Sequence, residues 1–84
     1  MKDNIKPTLE SLKLSSIKMI IELTSEVEEL NNAINKDDIE NIGEELMDVI
    51  QWCVNIGTRY QLDINKEIDL HNKKLMDRGH KFVL

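Results

Sequence analysis

Cysteine occurs once, at Cys53, so a disulfide within the chain and a cysteine-based zinc site are both excluded. No signal-peptide pattern is present, and the cytoplasm is the expected compartment. Aromatic residues number three, Trp52, Tyr60 and Phe82, too little material for a sandwich or barrel core. Basic residues are outnumbered 11 to 16, for a net charge of −5. An acidic chain is a poor fit to a nucleic acid polymer, which calls for basic stripes. No apolar run approaches the roughly 18 residues of a membrane span, so no membrane association is expected.

What remains suits a helical bundle. Of the 84 residues 40% are apolar, mostly Leu and Ile. The length is near the lower limit for a self-sufficient core. One small all-α domain, residues 1–84, is expected, built on a central antiparallel helical hairpin. Such small bundles often complete their cores by pairing, so a homodimer or homotetramer is expected.

In chain order, Met1–Lys6 reads as a frayed leader. Pro7 suits a first helical turn, where its missing N–H costs nothing. Leu9, Leu12 and Leu14 predict a short first helix, and Ser15-Ser16 offers a break and an N-cap. A second helix is predicted from Ile17 to Ile34. Asp37 or Asp38 caps a third, from Ile39 to Tyr60. Within it Gly43 is a place for another backbone to approach, and Gly57 a start of fraying. Asp63 caps a fourth helix, from Ile64 to Asp77, which Gly79 ends at the C′ position. The expected total is about four helices.

The stretch Glu22–Asn55 organises the rest. Glu29 and Glu45 each lie eight positions from Asp37, and Glu26 and Asp48 each lie eleven from it. In an antiparallel hairpin, equal distance from the turn means equal height. Spacing of three keeps both acids of a pair on one helix face. Four carboxylates therefore converge. The apolar stripes predicted to face the core are Ile20, Leu23, Val27, Leu30 and Ile34 on one helix. On the other they are Ile42, Leu46, Val49, Cys53, Ile56 and Tyr60. The acids fall on neighbouring stripes, about 100° around each helix.

Crowded acids repel, and a hard divalent cation relieves the repulsion. Mg²⁺, with Mn²⁺ as the alternative, is the expected cofactor. Metal held by carboxylates also makes the surface acceptable to an anionic phosphate substrate. The contrary reading is a solvated helical surface, since acids are spread along the whole chain.

Ser25-Glu26-Val27-Glu28-Glu29-Leu30, followed by Glu44-Glu45-Leu46-Met47-Asp48-Val49, resembles the E-x-x-E…E-x-x-D signature of MazG-type nucleotide pyrophosphohydrolases. This family belongs to the all-α NTP pyrophosphatase superfamily. The resemblance continues through Gly57–Asp63 to His71-Asn72-Lys73-Lys74-Leu75 and Arg78-Gly79, covering roughly residues 17–80. It implies Mg²⁺-dependent cleavage of a nucleoside triphosphate between its α and β phosphates, giving the monophosphate and pyrophosphate. Glu26, Glu29, Glu45 and Asp48 would be the metal ligands. Glu22 and Glu26 would be the catalytic acids, with Glu22, one turn before Glu26, as candidate base. The chain departs from the pattern at Ser25, where relatives often carry a Glu, and at Ile68, where they commonly carry a Lys. The rival reading is a catalytically silent helical module that dimerises or binds a nucleotide or protein.

Five further residues are candidates for substrate binding. Trp52 either stacks on a base or fills a contact between helices or subunits. Asn55 either hydrogen-bonds the nucleotide or serves the fold. Asn72, Lys74 and Arg78 either contact phosphate or form an ordinary basic last turn. His71 reads as a hydrogen-bonded residue at the core edge.

Overall fold

The computed structural model describes residues 5–83. Helix α1 spans Ser16–Asn35, α2 spans Ile39–Arg59 and α3 spans Ile64–Asp77, after a 3₁₀ turn at Ser11–Lys13. No strand occurs among the described residues, and the fold class is all-α as expected. None of these helices is long and apolar enough to cross a membrane.

Three polar side chains start the helices. Ser15 Oγ accepts from the Lys18 N–H, Asp38 Oδ1 from the Asn41 N–H, and Asp63 Oδ1 from the Lys66 N–H. Each satisfies a donor that the helix itself leaves open, worth about 1 kcal/mol. The three ends are also alike. Asp37, Gln61 and Gly79 take left-handed φ values of 57°, 57° and 85°. At each, the following N–H reaches back over the last turn: Asp38 to Ala33, Leu62 to Gly57, His80 to Leu75. This is the Schellman closure. Gly79 makes it without a steric penalty, whereas Asp37 and Gln61 hold a Cβ in the left-handed region.

The expected first helix is a single 3₁₀ turn, leaving three α-helices. The Arg59 guanidinium donates to the Leu12 and Leu14 carbonyls and takes them out of any helical ladder. Leu14 is extended, with ψ 154°. Tyr60 Oη donates to Ser16 Oγ at 2.6 Å and ties the start of α1 to the end of α2. Of the expected frayed leader, residues 1–4 lie outside the described residues. Lys6 is tethered, its carbonyl accepting from Gln51 Nε2 at 2.7 Å.

Most tertiary packing is between α1 and α2. The buried face of α1 is turned about 60° from the predicted one; on α2 the predicted Ile42, Val49 and Ile56 stay half-buried and Glu45 and Trp52 join them. On α1 the buried or half-buried line is Met19, Leu23, Glu26, Leu30 and Ala33. On α2 it includes Glu45, Val49, Trp52 and Ile56. Ile20, Val27, Ile34, Leu46, Cys53 and Tyr60, all predicted to face the core, are exposed. Packing decides this: Ala33 takes little room and unbranched Met19 adapts, so the seam closes on them. Ile20, Val27 and Ile34 are left on an outer face.

Gly57 is buried inside α2 and does not mark fraying. A Cβ there would stand 2.5 Å from Ile64 Cδ1, so the glycine admits the start of α3 against α2. Beyond that point α3 has only slight contact with the hairpin. Its stripe Ile64, Ile68 and Leu75 is half-buried, and His71, expected at the core edge, is exposed.

Candidate metal centre

The rotation of α1 carries Glu26 inward. Glu26 and Glu45 lie in the seam between α1 and α2, both half-buried. Glu29 and Asp48, three residues further along each helix, are exposed. They stand about 60° around from their partners, in the same rotational sense on both helices. In an antiparallel pair that sense leads to one side of the hairpin. The site therefore has a floor of Glu26 and Glu45 and a rim of Glu29 and Asp48. The exposed apolar face containing Ile20, Val27, Leu46 and Cys53 lies on the opposite side.

One carboxylate oxygen from each of the four acids lies within 4.8 Å of the other three. Glu26 Oε2 and Glu45 Oε2 are buried and have no hydrogen-bond partner among the described residues. Unpaired buried oxygens are costly to the fold, and the contacts with Glu29 do not reach these two atoms. Burial pushes the Glu26 carboxyl up to about 7 from 4.5. Repulsion from Glu29 and Asp48, a hydrogen bond with Glu29 and repulsion from Glu45 add to it. The Glu45 carboxyl is also raised, first by a hydrogen bond with Glu29, then by loss of hydration and by repulsion from Glu29, Asp48 and Glu44. The Glu26 carboxyl thus keeps its proton to a higher pH than an ordinary surface carboxyl does.

The donor set fits a hard divalent cation. All four ligands are carboxylates, with no sulfur or imidazole among them. An octahedral ion with oxygens at about 2.1 Å sets its ligands about 3 to 4.2 Å apart. The cluster's oxygens, within 4.8 Å of one another, approach that spacing. Two orphaned oxygens, one on each floor residue, are what such an ion would satisfy.

The other candidates are placed differently. Glu22 is half-buried, pairs with Lys18 at 3.1 Å, and is not part of the four-oxygen cluster. Trp52, one turn beyond Asp48, is half-buried. Asn55 is 1% exposed, and its Oδ1 accepts from the Thr8 N–H at 3.1 Å and from Gln51 Nε2 at 2.9 Å. Asn72, Lys74 and Arg78 are exposed on α3. Neither Lys74 nor Arg78 makes an ion pair among the described residues, and the protomer does not bring them to the acids.

Sequence reasoning missed the binding of residues 6–14 along α2. Its contacts span 45 to 47 positions, beyond the reach of helical periodicity. The available signal was polar: Gln51, Asn55 and Arg59 at spacing four on a helix that otherwise carries core residues.

The family model for the MazG nucleotide pyrophosphohydrolase domain matches residues 14–83. No curated protein and no solved structure matches the chain.

Proposed function

The chain belongs to the MazG nucleotide pyrophosphohydrolase domain family, and from that premise we propose that it hydrolyses nucleoside triphosphates between the α and β phosphates. The products are a monophosphate and pyrophosphate. The observation that carries the reading is the pair of buried, unpartnered oxygens of Glu26 and Glu45 within a four-carboxylate cluster. Glu26, Glu29, Glu45 and Asp48 hold Mg²⁺, or Mn²⁺ in its place. The bound cation neutralises phosphate charge and makes the α-phosphorus more electrophilic.

The chain's own groups supply the rest. The seam holds Glu26 and Glu45 in fixed positions, so little ordering is left for the moment of binding. A carboxylate takes a proton from the attacking water as its oxygen bonds to the α-phosphorus, and the bridging bond to the β phosphate breaks. Glu22, beside the cluster, is the candidate acceptor. Its pair with Lys18 at 3.1 Å positions it. Glu26, within the cluster, is the other candidate. Trp52 lies along α2 from Asp48, where a base can stack. Asn72, Lys74 and Arg78 reach phosphate only from a second subunit or after movement of α3.

A second copy docks on the apolar side of the hairpin, opposite the acids. Ile20, Val27, Ile34 and Leu46 are all about half exposed there, more than a small chain carries without a partner. A groove of about 300 Å³ on the outer side of α1, lined by Ile20, Ile21, Thr24, Ser25 and Glu28, adjoins it. Sedimentation at micromolar concentration tests this: a well-folded monomer contradicts it.

One observation favours a second reading, nucleotide binding without turnover. No lysine or arginine forms an ion pair with the four acids among the described residues. A panel of NTPs and dNTPs with Mg²⁺, assayed for pyrophosphate, separates the two. The enzyme reading predicts pyrophosphate from at least one substrate and none from Asp48→Asn. Release of inorganic phosphate alone contradicts cleavage at the α–β bond.

A further inference from the structure

The acid side of the hairpin carries a second construction. Gln51 and Asn55 lie three and seven residues beyond Asp48, within about 60° of it around α2. Gln51 Nε2 donates both to the Lys6 carbonyl, at 2.7 Å, and to Asn55 Oδ1, at 2.9 Å. The Thr8 N–H donates to the same Asn55 oxygen at 3.1 Å. An amide is thus taken almost fully out of water to hold a stretch of backbone. The stretch continues through Ser11, 2% exposed, and is pinned at its far end by Arg59. A strap of residues 6–14 therefore runs along the side onto which the acid site opens, and begins about one turn beyond Asp48.

The tether engages the backbone of Lys6, not its side chain. That side chain is exposed and makes no ion pair among the described residues. Its four-carbon stem is long enough to span about one helical turn, roughly 5.4 Å. Of the other described cations here, Lys13 stands at the far end of the strap and two are engaged. Lys18 pairs with Glu22, and Arg59 holds carbonyls. A substrate whose phosphates lie over the acids meets Lys6 at the strap end, a cation without an ion pair among the described residues.

We propose that Lys6 contacts the phosphates of the nucleotide and that the strap at Lys6–Thr8 forms the end wall of its site beside Trp52, held in register by Gln51 and Asn55. This rests on the reading that the four acids serve nucleoside triphosphate chemistry. Lys6 is a binding residue, and Gln51 a positioning residue that acts through it. The strap explains why Asn55 is unavailable to a base, and it supplies a positive group that the acids lack.

The test compares Lys6→Ala, Lys6→Arg and Gln51→Ala with the unaltered protein. Cleavage is followed with Mg²⁺ and a substrate NTP. Binding of a non-hydrolysable α,β-methylene NTP is followed through the fluorescence of Trp52, the only tryptophan. Lys6→Ala raises KM about fivefold, the size of one partly exposed charge-assisted contact, with the effect in KM rather than kcat. The analogue weakens by the same factor, and the difference shrinks as salt rises. Lys6→Arg stays near the unaltered protein. Gln51→Ala keeps the lysine but releases the strap, and raises KM as well. The Mg²⁺-induced rise in Tm is retained in Lys6→Ala, because the carbonyl tether is intact. If the unaltered protein cleaves and Lys6→Ala keeps its KM and its analogue affinity at low salt, this inference falls alone. If the unaltered protein neither cleaves nor binds the analogue, the nucleotide reading falls and takes this inference with it.

Discussion

Replacing Asp48 with Asn removes one charge from the rim while keeping size and helical position. In the metal-free protein the carboxylate stands within 4.8 Å of its neighbours' oxygens. At that distance two charges repel by about 0.9 kcal/mol in water and about 3.5 kcal/mol at an effective dielectric constant of 20. Asp48 is exposed, so the lower end applies, about 1 kcal/mol. For a domain of this size that is a rise of roughly 4–8 °C in Tm without metal. Metal acts oppositely on the two proteins. At one hundred times its Kd, Mg²⁺ stabilises the unaltered protein by about 2.7 kcal/mol because it binds only the folded state. Asp48→Asn loses that increment, since one of four anionic ligands has become a neutral amide. Thermal melts followed by circular dichroism, with and without Mg²⁺, give both quantities. A variant with unchanged metal-free Tm and the full Mg²⁺ increment would refute the cation site and restore the solvated-surface reading.

Stability without metal should depend on pH in a particular direction. The folded Glu26 pKa is raised to about 7 from 4.5, so the folded state holds the proton more tightly than the unfolded one. The penalty for ionising it is absent below about pH 4.5, grows as pH rises through about 7, and is constant above. Tm measured in chelator therefore falls between pH 5 and pH 7.5, and the Mg²⁺ increment grows over the same window; a flat profile contradicts this. Asp37→Gly and Gln61→Gly each relieve a left-handed Cβ and raise stability by about 1 kcal/mol in urea unfolding. Gly43→Ala adds about 1 kcal/mol, because nothing lies within 4 Å of the added Cβ. A loss there shows that another backbone packs on Gly43 in the assembled protein.

Local features of the fold were legible in the sequence, and orientation only in part. The caps Ser15, Asp38 and Asp63, the limits of α3 and the left-handed Gly79 follow from side chains acting on their own turns. The convergence of Glu26, Glu29, Glu45 and Asp48 followed from counting outward from Asp37, because a hairpin preserves height. On α2, Ile42, Val49 and Ile56 are half-buried as expected. The rotation of α1 could not be read, because the stripe through Ile20, Val27 and Ile34 is the more hydrophobic choice. Instead the seam closes on Met19 and Ala33, which places Glu26 and Glu45 in it and not beside it. That shift turns four flanking acids into a site with a buried floor. Asn55 was ambiguous because its partner Thr8 is 47 positions away. Asn72, Lys74 and Arg78, which read either as phosphate contacts or as a basic last turn, stand on a helix that barely touches the hairpin.

The central claim is hydrolysis at the α-phosphorus over the four-acid site. Its most direct test is to let the protein act on a cleaved NTP in ¹⁸O-water with Mg²⁺ and locate the label by ³¹P NMR or mass spectrometry. The account predicts ¹⁸O in the nucleoside monophosphate, unlabelled pyrophosphate, and no turnover by Asp48→Asn. Label in the pyrophosphate, or turnover that survives Asp48→Asn, contradicts it.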